Sequence, residues 1–138
     1  MKIRHPTDQI AGCCWLPRIA DKAHGYLAGD MPFLYRVAFL SRVGVDGYFL
    51  RHFSLSRQRF LAGVQTSSND ATLESWFLSQ PKVTATTIAD WNRLAPALGR
   101  KGHPGYVTRH LVKWLLYPKS VTKPVDSLFE AIEQDELV

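Results

Sequence analysis

Trp15-Leu16-Pro17-Arg18-Ile19-Ala20-Asp21-Lys22-Ala23-His24-Gly25-Tyr26-Leu27-Ala28-Gly29 is the stretch that decides the fold. Its apolar positions, Trp15, Leu16, Ile19, Ala20, Ala23, Tyr26 and Leu27, fall on one helical face. Pro17 suits a first turn, where its missing N–H is not needed, and Gly29 suits the left-handed position after the last turn. The opposite face carries Arg18, Asp21, Lys22 and Gly25.

The same pattern continues along the chain. A helix is predicted over 33–43, with Phe33, Leu34, Val37, Ala38 and Leu40 apolar, and Gly44 breaks it. A short helix over 46–53 turns Phe49, Leu50 and Phe53 inward, with Asp46 as its cap. Ser56 caps the next, to about residue 64, with Leu55 and Phe60 as a hydrophobic staple. Asn69 caps a helix over 70–79 that buries Leu73, Trp76 and Phe77. Asp70 favours its positive end, and Pro81 follows its close. Thr84 caps another, with Val83 and Ile88 as a staple and Ile88, Trp91, Leu94 and Ala95 inward. Pro96 kinks or ends it. Two more helices are predicted over 106–116 and 125–134. No segment shows convincing period-two alternation between hairpin turns. The expected fold is therefore all-α: one compact domain, 1–138, of about six to eight short helices and no significant sheet. Residues 1–14 form an irregular start, and 126–138 an acidic helix or tail.

Composition narrows the classes. At 138 residues and 46% apolar, with four Trp, seven Phe and five Tyr, the chain can fill a core without disulfide or metal. Cys13 and Cys14 are adjacent, a geometry that strains a disulfide, and no C-x-x-C occurs. They read as small apolar residues in a reducing cytosol. No signal-peptide h-region or membrane-length apolar run is visible. The five histidines, His5, His24, His52, His103 and His110, lack zinc spacing, so no metal or cofactor is expected.

Charge is divided along the chain. Residues 91–125 contain seven Lys or Arg and no acid, whereas 126–138 contain five acids and no base. Within the basic stretch, Arg100, Lys101, Arg109 and Lys113 are candidate polyanion contacts, with Tyr106 or Tyr117 stacking on bases. On the first helix, Arg18, Asp21 and Lys22 read as an anion-binding cluster beside Trp15 and Arg51. The structural alternative is Arg18–Asp21 pairing at i,i+3, or Asp21 bonded to a neighbouring helix. Residues 31–35, Met31-Pro32-Phe33-Leu34-Tyr35, suit a pocket wall or a partner's docking surface, and the apolar stretch Met31–Phe39 suits self-association. No phosphate loop or nucleophile elbow is present, and a Cys13–His24 nucleophile–base pair rests on no pattern.

Leu16-Pro17-Arg18-Ile19-Ala20-Asp21-Lys22-Ala23 and Leu27-Ala28-Gly29 resemble the opening of a bacterial family of small proteins, DUF5069. The likeness continues through Phe49-Leu50, Phe60-Leu61, Val64, Asp70 with Trp76, and Ile88-Ala89-Asp90-Trp91-Asn92. It spans roughly residues 7–100. Residues 31–45 depart from it in length and apolarity, and the basic and acidic segments after Arg100 read as additions. The resemblance implies a bacterial, cytoplasmic, helical protein and transfers no catalytic residue. The first functional reading is a non-enzymatic module for a protein or anionic partner. The second is a small-molecule-binding protein or small enzyme with a pocket at Trp15, Arg18, Asp21 and Arg51. The third is nucleic-acid binding through 93–123.

Overall fold

The structure, a computed structural model, describes residues 3–40 and 44–98. The helices expected over 106–116 and 125–134 lie outside these residues, as do Arg100, Lys101, Arg109 and Lys113. In chain order the described elements are β1 (Gln9–Ile10), β2 (Cys13–Cys14), α1 (Leu16–Ala28), α2 (Phe33–Leu40), α3 (Val45–His52), α4 (Arg57–Gln65), α5 (Asp70–Leu78) and α6 (Ala85–Leu94). A 3-10 turn, Ala95–Ala97, follows α6 where Pro96 removes a backbone donor.

Local chemistry sets most of these boundaries. Gly29 closes α1 in the left-handed region at φ 75°. Ser56 accepts a hydrogen bond from the Arg59 N–H at 3.1 Å and so caps α4. Asn69 with Thr72, and Thr84 with Thr87, form reciprocal capping boxes at the starts of α5 and α6. The cap expected of Asp46 is not made. Gly44 holds the N-cap position of α3, and the Asp46 carboxylate turns inward to the core.

Residues 9–14, expected to be irregular, form a small antiparallel hairpin pairing Gln9 with Cys14 and Ile10 with Cys13. Ala11 and Gly12 both take positive φ, 58° and 71°, as a two-residue hairpin turn requires. Two-residue strands are too short to show a period. The favoured Asn-Gly signal is also replaced by Ala11-Gly12, which hides the turn.

Packing is centred on rings. α1 lies against α2 and α4, α2 against α3, α4 against α5, and α6 against β2 and α3. Phe49 stands at the middle, with ring centroids 5.0 Å from Phe53, 6.2 Å from Phe60, 6.0 Å from Phe77 and 5.3 Å from Trp91. All five side chains are buried. The Phe53, Phe60 and Trp91 rings meet Phe49 edge-to-face and Phe77 stacks on it, both geometries that add to the burial of large apolar area.

The α4–α5 contact depends on one missing side chain. Gly63 is buried on α4, and a Cβ there would overlap the Trp76 indole from α5. Gly63→Ala is therefore expected to lower stability by about 1–3 kcal/mol through overpacking, although alanine favours the helix. A urea titration checks this by a lower midpoint at unchanged slope.

Candidate functional site

Trp15, Arg18 and Lys22 sit three and four residues apart, so they stack along one stripe of α1. The Arg18 guanidinium carbon lies 5.3 Å and the Lys22 ammonium 5.0 Å from the Trp15 ring centroid. Lys22 also lies 5.9 Å from the Tyr35 ring. From α3, Asp46 accepts the Trp15 indole N–H at 2.8 Å and pairs with Lys22 at 2.9 Å. These groups are shut in: Trp15 and Lys22 are 1% exposed, Arg18 0% and Asp46 1%. Arg18 and Lys22, on the face of α1 opposite its apolar stripe, are thus buried rather than open to an anion. A buried ion pair persists because each charge is hydrogen-bonded and facing an opposite charge. The cluster can fix α3 on α1. A ligand would reach it only if these side chains moved.

Asp21 takes a different partner from either expected one. Arg4 donates to it from the backbone N–H at 2.8 Å, from Nε at 3.1 Å and from Nη2 at 3.0 Å. The same guanidinium donates to Asp70 of α5 at 2.6 Å through Nη1. Two carboxylates raise the Arg4 pKa further above its already high value, with the Asp21 hydrogen bond the larger cause. Arg18 donates through Nη1 to the Arg4 carbonyl at 3.1 Å, which links the buried cluster to this bridge. Arg4 thereby joins the segment before β1 to α1 and α5. The sequence reading missed it, because a lone arginine before a proline-containing turn carries no spacing signal.

Arg51, the fifth candidate of the first-helix group, stands apart from the cluster. Its guanidinium lies 4.9 Å from the Tyr48 ring centroid, and it lines an open groove of about 270 Å³ with Gly47, Leu50, Leu55, Ser56 and Arg57. A second depression, of about 440 Å³, is lined by His52, Asp90, Arg93, Leu94 and Ala97. On α2, Phe33 and Val37 are exposed, at 75% and 40%, while Phe39 and the preceding Met31 are buried.

The cysteines are buried under α6. Trp91 Nε1 donates to the Cys14 carbonyl at 2.9 Å, Asn92 Oδ1 accepts from the Cys14 N–H at 2.9 Å, and Asn92 Nδ2 donates to the Gly12 carbonyl at 2.7 Å. Adjacent residues of one helix thus clamp the hairpin. Together with the Leu16–Ala23 face of α1 and the Phe49, Phe60 and Trp76 packing, this clamp builds the fold from the residues that carry the resemblance. The sequence profile of the family described as a domain of unknown function, DUF5069, matches residues 1–137.

The chain belongs to the DUF5069 family.

The match overturns one expectation: the segments after Arg100 lie within the family's matched span and are not additions to it. No curated protein and no solved structure matches the chain.

Thiol chemistry in this DUF5069 protein is suppressed. Burial pushes the Cys14 thiol up to about 11 and Cys13 higher still. A nucleophile needs the opposite shift, and His24 is exposed on α1 while Cys13 is fully buried. The folded chain therefore keeps protons that the unfolded chain releases above a thiol pKa of 9.0. The Cys14 contribution to stability is fully present below pH 9.0 and is lost as pH rises through about 11, while that of Cys13 persists higher. Denaturant midpoints between pH 8 and 10.5 are expected to fall less steeply in Cys14→Ala than in the parent. Iodoacetamide should label either thiol only on unfolding.

Among the described residues no three His, Cys, Asp or Glu side chains converge as metal ligands. No helix among them is long and apolar enough to cross a membrane.

Proposed function

We propose that this protein is a small, non-enzymatic binding module of the bacterial cytoplasm that docks an acidic protein segment at the α3–α4 corner. The observation that supports this reading is the open groove of about 270 Å³ there. Two arginines, Arg51 and Arg57, line it, and among the described residues none of its lining is acidic. Its remaining wall joins the apolar side chains of Leu50 and Leu55 to the Ser56-capped start of α4. A helix start favours negative charge, and guanidinium groups grip carboxylates with two parallel hydrogen bonds. Exposed Phe33 and Val37 on α2 offer a further apolar contribution to docking. The two adjacent buried thiols suit a reducing compartment.

A fluorescein-labelled glutamate-rich peptide is the probe. Reversing both charges, Arg51→Glu with Arg57→Glu, is expected to weaken its binding tenfold or more, with affinity falling as salt rises. Equal binding by parent and double variant would reject this groove as the docking site. Retained binding that is lost instead in Arg100→Glu with Lys101→Glu would move the function to the basic segment.

A further inference from the structure

We propose that the depression between α3 and α6 binds a small zwitterion with an apolar side chain, the chemistry of a free α-amino acid. At about 440 Å³ it has the volume of a small-molecule site. It shares no lining residue with the arginine groove, so the inference stands apart from the docking reading.

Three polar side chains converge on it. Asp90 and Arg93 lie one turn apart on α6 and pair at 2.8 Å through Oδ1 and Nη2. That single bond leaves the carboxylate further lone pairs and the guanidinium further N–H groups to offer a ligand. Both side chains are well exposed, 43% and 79%. His52 supplies the third group. Its Nε2 lies 2.8 Å from the Thr87 carbonyl, which can only accept, so Nε2 carries the proton. In the neutral ring Nδ1 is then an acceptor. The ring is held edge-on to Phe53, with centroids 4.8 Å apart, and beside Trp91 at 5.5 Å, so its orientation is fixed by packing.

The order of charges selects the ligand class. A ligand ammonium is complementary to the Asp90 carboxylate and to His52 Nδ1, and a ligand carboxylate to Arg93. Leu94 and Ala97 supply the apolar wall for a side chain. A simple anion meets repulsion from Asp90, and a simple cation from Arg93. Only a molecule carrying both signs a short distance apart satisfies the pair.

L-leucine is the first probe, titrated into the full chain while the His52 imidazole and Trp91 indole resonances are followed by NMR. Isocaproate, which lacks the ammonium, and leucinamide, which lacks the carboxylate, are the comparison ligands. The expected result is a saturable shift with L-leucine that is at least tenfold weaker with either comparison ligand. It should weaken similarly in Arg93→Gln and in Asp90→Asn. Both positions are on the exposed side of α6, and unchanged unfolding midpoints would show that the variants fold. Absence of a saturable shift at millimolar L-leucine overturns the proposal. So do equal shifts with all three ligands, which would mark unselective apolar adsorption.

Discussion

Asp46→Ala is expected to lower the unfolding free energy by about 3–5 kcal/mol, because it leaves the Lys22 ammonium buried without its counter-charge. It also strips the Trp15 indole N–H of its acceptor. Against a typical total of about 5–15 kcal/mol, the variant is left marginal at best. The paired replacement separates charge from packing. Lys22→Met with Asp46→Leu removes both charges together, and buried pairs exchanged in this way are often neutral or stabilised by about 1–4 kcal/mol. The bare Trp15 N–H takes back about 1–3 kcal/mol of that. The double variant should therefore unfold close to the parent and well above Asp46→Ala. Urea denaturation of the three proteins checks this. A single-variant loss below about 1 kcal/mol would mean that the pair is solvated, as surface pairs are.

Trp91→Ala is the second large effect, expected to remove about 3–5 kcal/mol through the cavity it leaves among Phe49, Phe53 and His52. Trp91→Phe keeps an aromatic ring in the core, so it leaves a smaller void, and it removes the N–H that serves the Cys14 carbonyl. Its expected loss is about 1–3 kcal/mol, the range for a buried carbonyl left unsatisfied. Thermal melts of the two variants should be separated accordingly. If they fell together, the hydrogen bond to the hairpin and not the ring's bulk would be the dominant contribution.

The elements that could be read from sequence are those whose determinants are local. Ser56, Asn69 and Thr84 each bond an amide three residues on, so the cap and its target lie in one short window. Gly29 likewise marks its own backbone conformation. The buried cluster was only half legible. The sequence groups Trp15, Arg18, Asp21, Lys22 and Arg51 as an anion-binding cluster, because charged side chains on a helix read as accessible. What reverses that reading is Asp46, 24 residues away, and its role as inner partner competes with the helix cap that its position suggests. The hairpin clamp was less legible still, since it joins residues 77 to 80 positions apart. The groove at Arg51 and the depression at His52 arise where α3 meets α4 and α6, and no single segment encodes either.

The clamp also bears on synthesis. Residues 12–14 leave the ribosome some eighty positions ahead of Trp91 and Asn92, about 4–16 s at ordinary elongation rates. Throughout that interval the two thiols lack the helix that covers the hairpin. Docking can begin only once α6 has emerged, so this part of the core assembles late. The nascent chain, rather than the finished protein, is then the form in which Cys13 and Cys14 meet oxidants and chaperones.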